Sequence, residues 1–401
     1  MTLDKQLRWG GLWIILTSLL MNGMNILVYM GIHNATVQAV YGVGFTGLIL
    51  SCTIIHIVQA KRSGLLGLLA YLLNVLSLVF ANVVNFLILA ELAGIKDVHT
   101  TLAAVSNATL NFVIFGILIG LILLGISIAQ AGIFPRWTGI LVASGVSLQF
   151  PAMYALDIGG PLHSVFTIGG SILFGAGLIW IGWALWSGKG WTDKSTSLSS
   201  LDRAWGAPFV IVSALLLVLN SYVNSMADLT LFDGVVHLIS TTSLILTIVI
   251  LHVAQADHAG RVGLAGFFFV HVGYTLSVIP AYLIMAQLAG QIENNRALMA
   301  SWVDIPVGRI GTYMLLLGIF LFGIGAIRAE VFPRGSGWLV TIGLALLLPS
   351  QFQAQDYLFS IFWIIGATLL GIGLGWMGWT LLSNKNVLEK IPQPLDGHFS
   401  I

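Results

Sequence analysis

The sequence predicts an all-α polytopic membrane bundle of about twelve helices, built as two six-helix repeats inserted in the same orientation. Three observations carry this. The 401 residues are 58% hydrophobic and 8% charged, with a mean hydropathy of +0.98, whereas an ordinary soluble domain is about a quarter charged. The apolar residues come in continuous runs of roughly 20, the length a helix needs to cross about 30 Å of hydrocarbon. The chain also repeats itself. Ile55-His56-Ile57-Val58-Gln59-Ala60, followed by Gly64 and Gly67, returns as Leu251-His252-Val253-Ala254-Gln255-Ala256, followed by Gly260 and Gly263, at a spacing of 196 residues. Trp9-Gly10 with Trp205-Gly206, Leu92-Ala93-Gly94 with Leu288-Ala289-Gly290, and Gly182-Trp183 with Gly378-Trp379 keep the same step. Phe134-Pro135-Arg136 returns as Phe332-Pro333-Arg334, two residues late.

Composition excludes a water-soluble enzyme. A net charge of +1 gives nucleic acid no footing. The lone Cys52 sits inside an apolar run, which leaves no disulfide framework and no cysteine metal cluster. The runs are too long and unbroken for barrel strands, which alternate over about ten residues.

In chain order, Lys5 and Arg8 precede a first run, Trp9–Met30, which is long for a signal-peptide core and reads as a retained helix. The runs Val37–Gln59, Gly64–Leu92, Leu110–Ala131, Trp137–Met153 and Val165–Trp186 complete a first membrane repeat, residues 1–187. Residues 188–202 are polar and read as a cytoplasmic linker. The second repeat, residues 203–384, holds Trp205–Ser225, Gly234–Ala256, Gly263–Leu288, Pro306–Ile327, Gly337–Pro349 and Ser360–Leu382, and residues 385–401 form a polar tail. With the N-terminus inside, thirteen Lys and Arg fall on inner segments and only Lys96, Arg296 and Arg309 on outer ones. Positive charge stays on the cytoplasmic side, so both termini are expected in the cytoplasm of a cell bearing this chain in its cytoplasmic membrane. Six spans per repeat then give parallel halves about a pseudo-twofold axis along the membrane normal.

The histidine-glutamine-alanine end of the second run, the Gly64/Gly67 and Gly260/Gly263 starts of the third, and the Phe-Pro-Arg turns resemble a loose group of bacterial six-helix membrane proteins of unknown function. The resemblance covers each half and implies a fused pair. It lends no substrate and no catalytic residue.

Two sets of residues are candidates for a site. Asn22 and Asn25, Asn82 and Asn85, and Asn107 and Asn111 are spaced three or four apart near outer span ends, which puts each pair on one helix face. In the second half Asp304 and Arg309 take a comparable place. Amides in hydrocarbon must face the bundle interior or a wet cavity, so these residues read either as a polar pocket or as interhelical hydrogen bonds. The second set is His56 and His252, at equivalent places in the repeats. Two imidazoles at one depth are the ligands an axially bound haem needs; the competing reading has each capping its helix at the headgroups. No cofactor is expected unless that haem reading holds. No HExxH, Gly-x-Ser-x-Gly or phosphate loop is present, and mid-span Lys and Arg are absent. The leading expectation is a carrier or binding protein for a small uncharged or amphipathic molecule, with the lipid bilayer as its surroundings. A haem- or quinone-binding redox protein using His56 and His252, and a scaffold or sensor component without chemistry, are the alternatives.

Overall fold

A computed structural model describes residues 3–29, 32, 34–92, 107–154, 161–188, 200–223, 231–288, 306–350 and 357–383. Among these the chain is helical: α1 (Leu3–Tyr29), α2 (Ala35–Leu92), α3 (Asn107–Ala131), α4 (Arg136–Tyr154), α5 (Pro161–Ser187), α6 (Ser200–Val223), α7 (Leu231–Leu288), α8 (Pro306–Ala329), α9 (Arg334–Ser350) and α10 (Tyr357–Ser383). Helix α6 starts inside the stretch expected to be linker. Seven stretches are long and apolar enough to cross a membrane, and three shorter apolar helices accompany them, among the described residues.

The two 58-residue runs cannot be straight rods, since at 1.5 Å per residue each would measure about 87 Å. Each breaks at one glycine: Gly64 has φ 55° and ψ −147°, Gly260 φ 62° and ψ −152°. Those angles lie close to a region that essentially only glycine occupies. The chain reverses there. Thr46 meets Asn82 across the first hairpin, each eighteen residues from Gly64, and His252 meets Phe267 across the second. We call the arms of α2 the residues before and after Gly64, and those of α7 the residues before and after Gly260.

Other ends have local causes as well. Asn34 caps α2 by accepting from the Val37 N–H at 2.9 Å, satisfying one of the donors a helix start leaves open. Gly132, with φ 63°, stops α3, and the Phe134-Pro135 turn leads straight into α4. There the Pro135 carbonyl accepts from both the N–H and the hydroxyl of Thr138, at 2.9 and 2.8 Å. Pro333 and Ser336 repeat the arrangement at 2.9 and 2.7 Å. Glu330 stands where Gly132 does, at φ 54°, and pairs with Arg334, whose guanidinium holds its carboxyl below the usual range.

The described helices belong to two compact units. The first comprises Asp4–Lys194 with Thr275–Arg309, the second Met1–Leu3, Ser195–Tyr274 and Ile310–Ile401. In the first unit neighbouring helices touch through glycine. A Cβ on Gly182 would come within 2.6 Å of the Gly11 carbonyl, bringing α5 onto α1. Gly125 lies as close to the Gly139 carbonyl, joining α3 to α4, and Gly145 is 2.7 Å from that of Gly170, joining α4 to α5. Gly47 packs on Thr17, seating α1 on the first arm of α2, while Gly120 packs on Asn74, seating α3 on the second. Taken together, these contacts run α1, α2, α3, α4, α5 and back to α1: a closed ring in chain order.

The second unit follows the same rule. Ser213 of α6 bonds Ser243 of α7 at 2.9 Å. Gly266 meets the Gly318 carbonyl of α8, Gly323 packs on Thr341 of α9, Gly343 on the Gly366 carbonyl of α10, and Gly371 on Ala214 of α6. Lipid provides no hydrophobic drive between helices, so small residues that let backbones approach closely supply the contact. The outward residues are apolar, among them Leu19, Ile119, Leu215 and Ile372, and Trp9, Trp137, Trp183 and Trp379 stand exposed near helix ends, as an interfacial aromatic belt requires. Trp13 departs from the belt: its indole N–H donates to the Gly47 carbonyl at 3.2 Å.

Because a Cβ at Gly64 or Gly260 would meet no atom within 4 Å, substitution there isolates the backbone term. Gly64→Ala and Gly260→Ala are each expected to cost about 1–3 kcal/mol, seen as a lower midpoint of unfolding in detergent.

Candidate functional site

The amides near the open end of the first hairpin, away from Gly64, form a ladder across three helices. Gln38 donates through Nε2 to Asn85 Oδ1 at 2.6 Å, and Asn85 Nδ2 donates back to the Gln38 carbonyl at 3.2 Å. Tyr41, three residues on, donates its hydroxyl to Asn25 Oδ1 of α1 at 2.7 Å. Asn82 Nδ2 donates to Thr46 Oγ1 at 3.0 Å, and that hydroxyl donates to the Gly42 carbonyl at 3.0 Å. Asn22 turns towards α5 instead. Its Nδ2 donates to the Ser18 carbonyl at 2.7 Å, and Ser18 Oγ donates to the Gly175 carbonyl of α5 at 3.0 Å.

The structure therefore brings Asn25, Asn82 and Asn85 into one layer of helices and separates Asn22 from them. Asn85, at 3% exposure, is engaged at both amide atoms and acts as a clamp between the arms of the hairpin. Asn82 is wholly buried, yet its Oδ1 has no hydrogen-bond partner, and neither does the buried Oδ1 of Asn22. A buried acceptor left open costs about 1–3 kcal/mol. These two oxygens are open acceptors in the polar layer. Asn107, Asn111 and Arg309 begin helices, but their side chains, and all of Asp304, lie outside the described residues.

Sequence reasoning missed Gln38, Tyr41 and Thr46. Residues at similar distances from Gly64 face each other in an antiparallel hairpin, so folding the sequence at that glycine would have found Thr46 opposite Asn82 and Gln38 near Asn85.

The histidines lie nearer the glycine turns. His56 stacks on Tyr71, with ring centroids 4.5 Å apart and planes at 4°, and Tyr71 OH lies 3.4 Å from Thr53 Oγ1. Gln59, one turn on from His56, donates to Ser127 Oγ of α3 at 3.1 Å. His252 stacks on Phe267 at 4.4 Å, and Phe267 contacts His271 at 4.3 Å. His271 Nδ1 lies 2.8 Å from the Phe267 carbonyl. His56 and His252 are 7% and 3% exposed. Each packs inward, with one imidazole face covered by an aromatic ring of its own hairpin. His56 belongs to the first unit and His252 to the second. Among the described residues no three of His, Cys, Asp and Glu gather as a metal site.

Comparison of the chain with protein-family models, with curated proteins and with solved structures finds no match.

The clamp yields a test by double substitution. Asn85→Leu alone strands the Gln38 amide and should cost about 1–3 kcal/mol. Gln38→Leu with Asn85→Leu should recover most of that loss, because an interhelical hydrogen bond in a membrane is worth only about 0.6–2 kcal/mol. A double variant that loses the sum of the two single losses, by thermal unfolding, would show that the pair is not coupled.

Proposed function

We propose that this chain is a multi-pass protein of the cell membrane that binds or carries a small uncharged or amphipathic molecule at the polar end of its first unit. In this reading it has twelve spans in two six-helix repeats, inserted the same way up with both termini cytoplasmic, and it is a fused pair of the six-helix type it resembles. The recurrence at 196 residues supports the repeats, as do the matching backbone angles at Gly64 and Gly260 and the chain-order packing within each unit. The distribution of Lys and Arg supports the orientation.

The observation that carries the ligand reading is Asn82: a fully buried amide whose nitrogen is held by Thr46 and whose oxygen is open. An occupant that donates one hydrogen bond, from a hydroxyl or an N–H, satisfies that oxygen. Charge is not called for, since the apolar runs hold no Lys or Arg in mid-span, and carriers coupled to ions keep intramembrane charge. Asn25 and Asn85 then hold the frame, and Asn22 offers a second acceptor where α1 faces α5.

A membrane component without chemistry of its own is the second reading, and the mutual pairing of Gln38 and Asn85 favours it. Native mass spectrometry of the chain extracted in lipid nanodiscs separates the two. Wild-type protein is expected to release a small organic molecule that Asn82→Leu no longer carries, with the thermal midpoint lowered because the occupant and the bond to Thr46 are both lost. An occupant retained in Asn82→Leu, or none in the wild type, would favour the scaffold.

A further inference from the structure

The second unit carries a different set of buried polar groups, along the first arm of α7. Ser240, Thr247 and Gln255 fall on one side of that arm and are each 0% exposed, flanked by Ser243 at 6% and His252 at 3%. From Ser240 to Gln255 the rise is about 22 Å, most of a hydrocarbon core of about 30 Å. Ser243 is held by Ser213 and by the Ser240 carbonyl. The Ser240 hydroxyl, the Thr247 hydroxyl and both amide atoms of Gln255 are buried without a hydrogen-bond partner.

Hydroxyls on helices in an apolar interior ordinarily bond the carbonyl one turn back, as Thr46, Ser51 and Thr53 do in the first unit. Gln59 likewise finds Ser127. In the second half Gly325 stands in the place of Ser127, at the offset set by the Phe-Pro-Arg turns, so the partner of the glutamine is deleted. A primary amide in an apolar interior with neither its donors nor its acceptor met is among the costliest neutral groups to bury. Here it lies in line with two further open hydroxyls. His271, replacing Val75 of the first half, adds an imidazole against Phe267.

We propose that Ser240, Thr247 and Gln255 form a file of sites that takes up small uncharged hydrogen-bonding molecules, of the size and donor–acceptor character of water or urea. Size follows from burial: each open group is enclosed by its neighbours, which leaves room for few heavy atoms. Neutrality follows from the absence of Asp, Glu, Lys and Arg over residues 240–255. Both a donor and an acceptor are required, because Gln255 presents one of each. The file belongs to the second unit and does not rest on the amide site of the first.

The test is magic-angle-spinning NMR of the full chain in lipid bilayers, with labelled Gln and Thr, following magnetisation transferred from water and, separately, from ¹³C-urea to the side chains. Gln255→Leu and Thr247→Val assign the two signals. Transfer from water alone identifies the occupant as solvent, and transfer from urea identifies a solute site; both support the file. Transfer from neither overturns it. Unfolding provides a second readout: an amide held by guests makes Gln255→Leu lower the thermal midpoint, whereas an amide left bare makes the same change raise it, which would also overturn the proposal.

Discussion

A hydrocarbon interior has no hydrogen bonds to give and no hydrophobic effect to press helices together. Backbone groups must be satisfied within each segment, which makes helices of the apolar runs. Packing must then come from close contact. The glycine pairs Gly11–Gly182, Gly125–Gly139 and Gly145–Gly170 in the first unit, and Gly266–Gly318 and Gly343–Gly366 in the second, bring backbone against backbone. Dispersion is weak for each atom pair but accumulates over such contacts. The polar side chains follow from the same constraint, since each buried amide or hydroxyl needs a partner, and those of Asn82 and Gln255 are among the described ones left open.

In the proposed repeat, the two halves differ in what they bury. Asn82, Asn85 and Gln38 of the first half correspond to Val278, Ala281 and Gly234 in the second, so the amide ladder has no sequence counterpart there. In exchange the second half has Ser240 for Gly44, Ser243 for Gly47 and His271 for Val75. Tyr71, whose hydroxyl lies beside Thr53, becomes Phe267, and Thr53 becomes Val249, so a polar pair is lost as a unit. Changes that move in pairs keep the interior satisfied. Those that do not, such as Ser127 to Gly325, leave the open groups on which the proposals stand.

Much of the fold was legible in the sequence because the signals are coarse and strong. Apolar runs locate helices to within a few residues, and Gly64 and Gly260 were readable as helix starts, though not as the single residues on which each hairpin reverses. Asn34 is a helix cap, a role that cannot be read without knowing where α2 begins. The site was less legible. Spacing of three or four placed the asparagines on faces but could not say which face meets which helix. Asn22 and Asn25 share a face of α1 but meet different neighbours, α5 and α2. The position of the histidines near a helix end is visible in sequence, whereas the Tyr71 and Phe267 rings that stack on them become neighbours only after the chain reverses.

The repeat with uniform orientation is the claim on which the rest of the functional account leans. It is tested most directly by placing single cysteines, in a Cys52→Ser background, at Arg62, Arg136, Arg261 and Arg334 and labelling with a membrane-impermeant maleimide. The account predicts that all four are protected in intact cells and react once the cytoplasmic face is opened. Labelling of the pair in one half from outside, with the other pair protected, would mean that the halves insert in opposite directions and would contradict it.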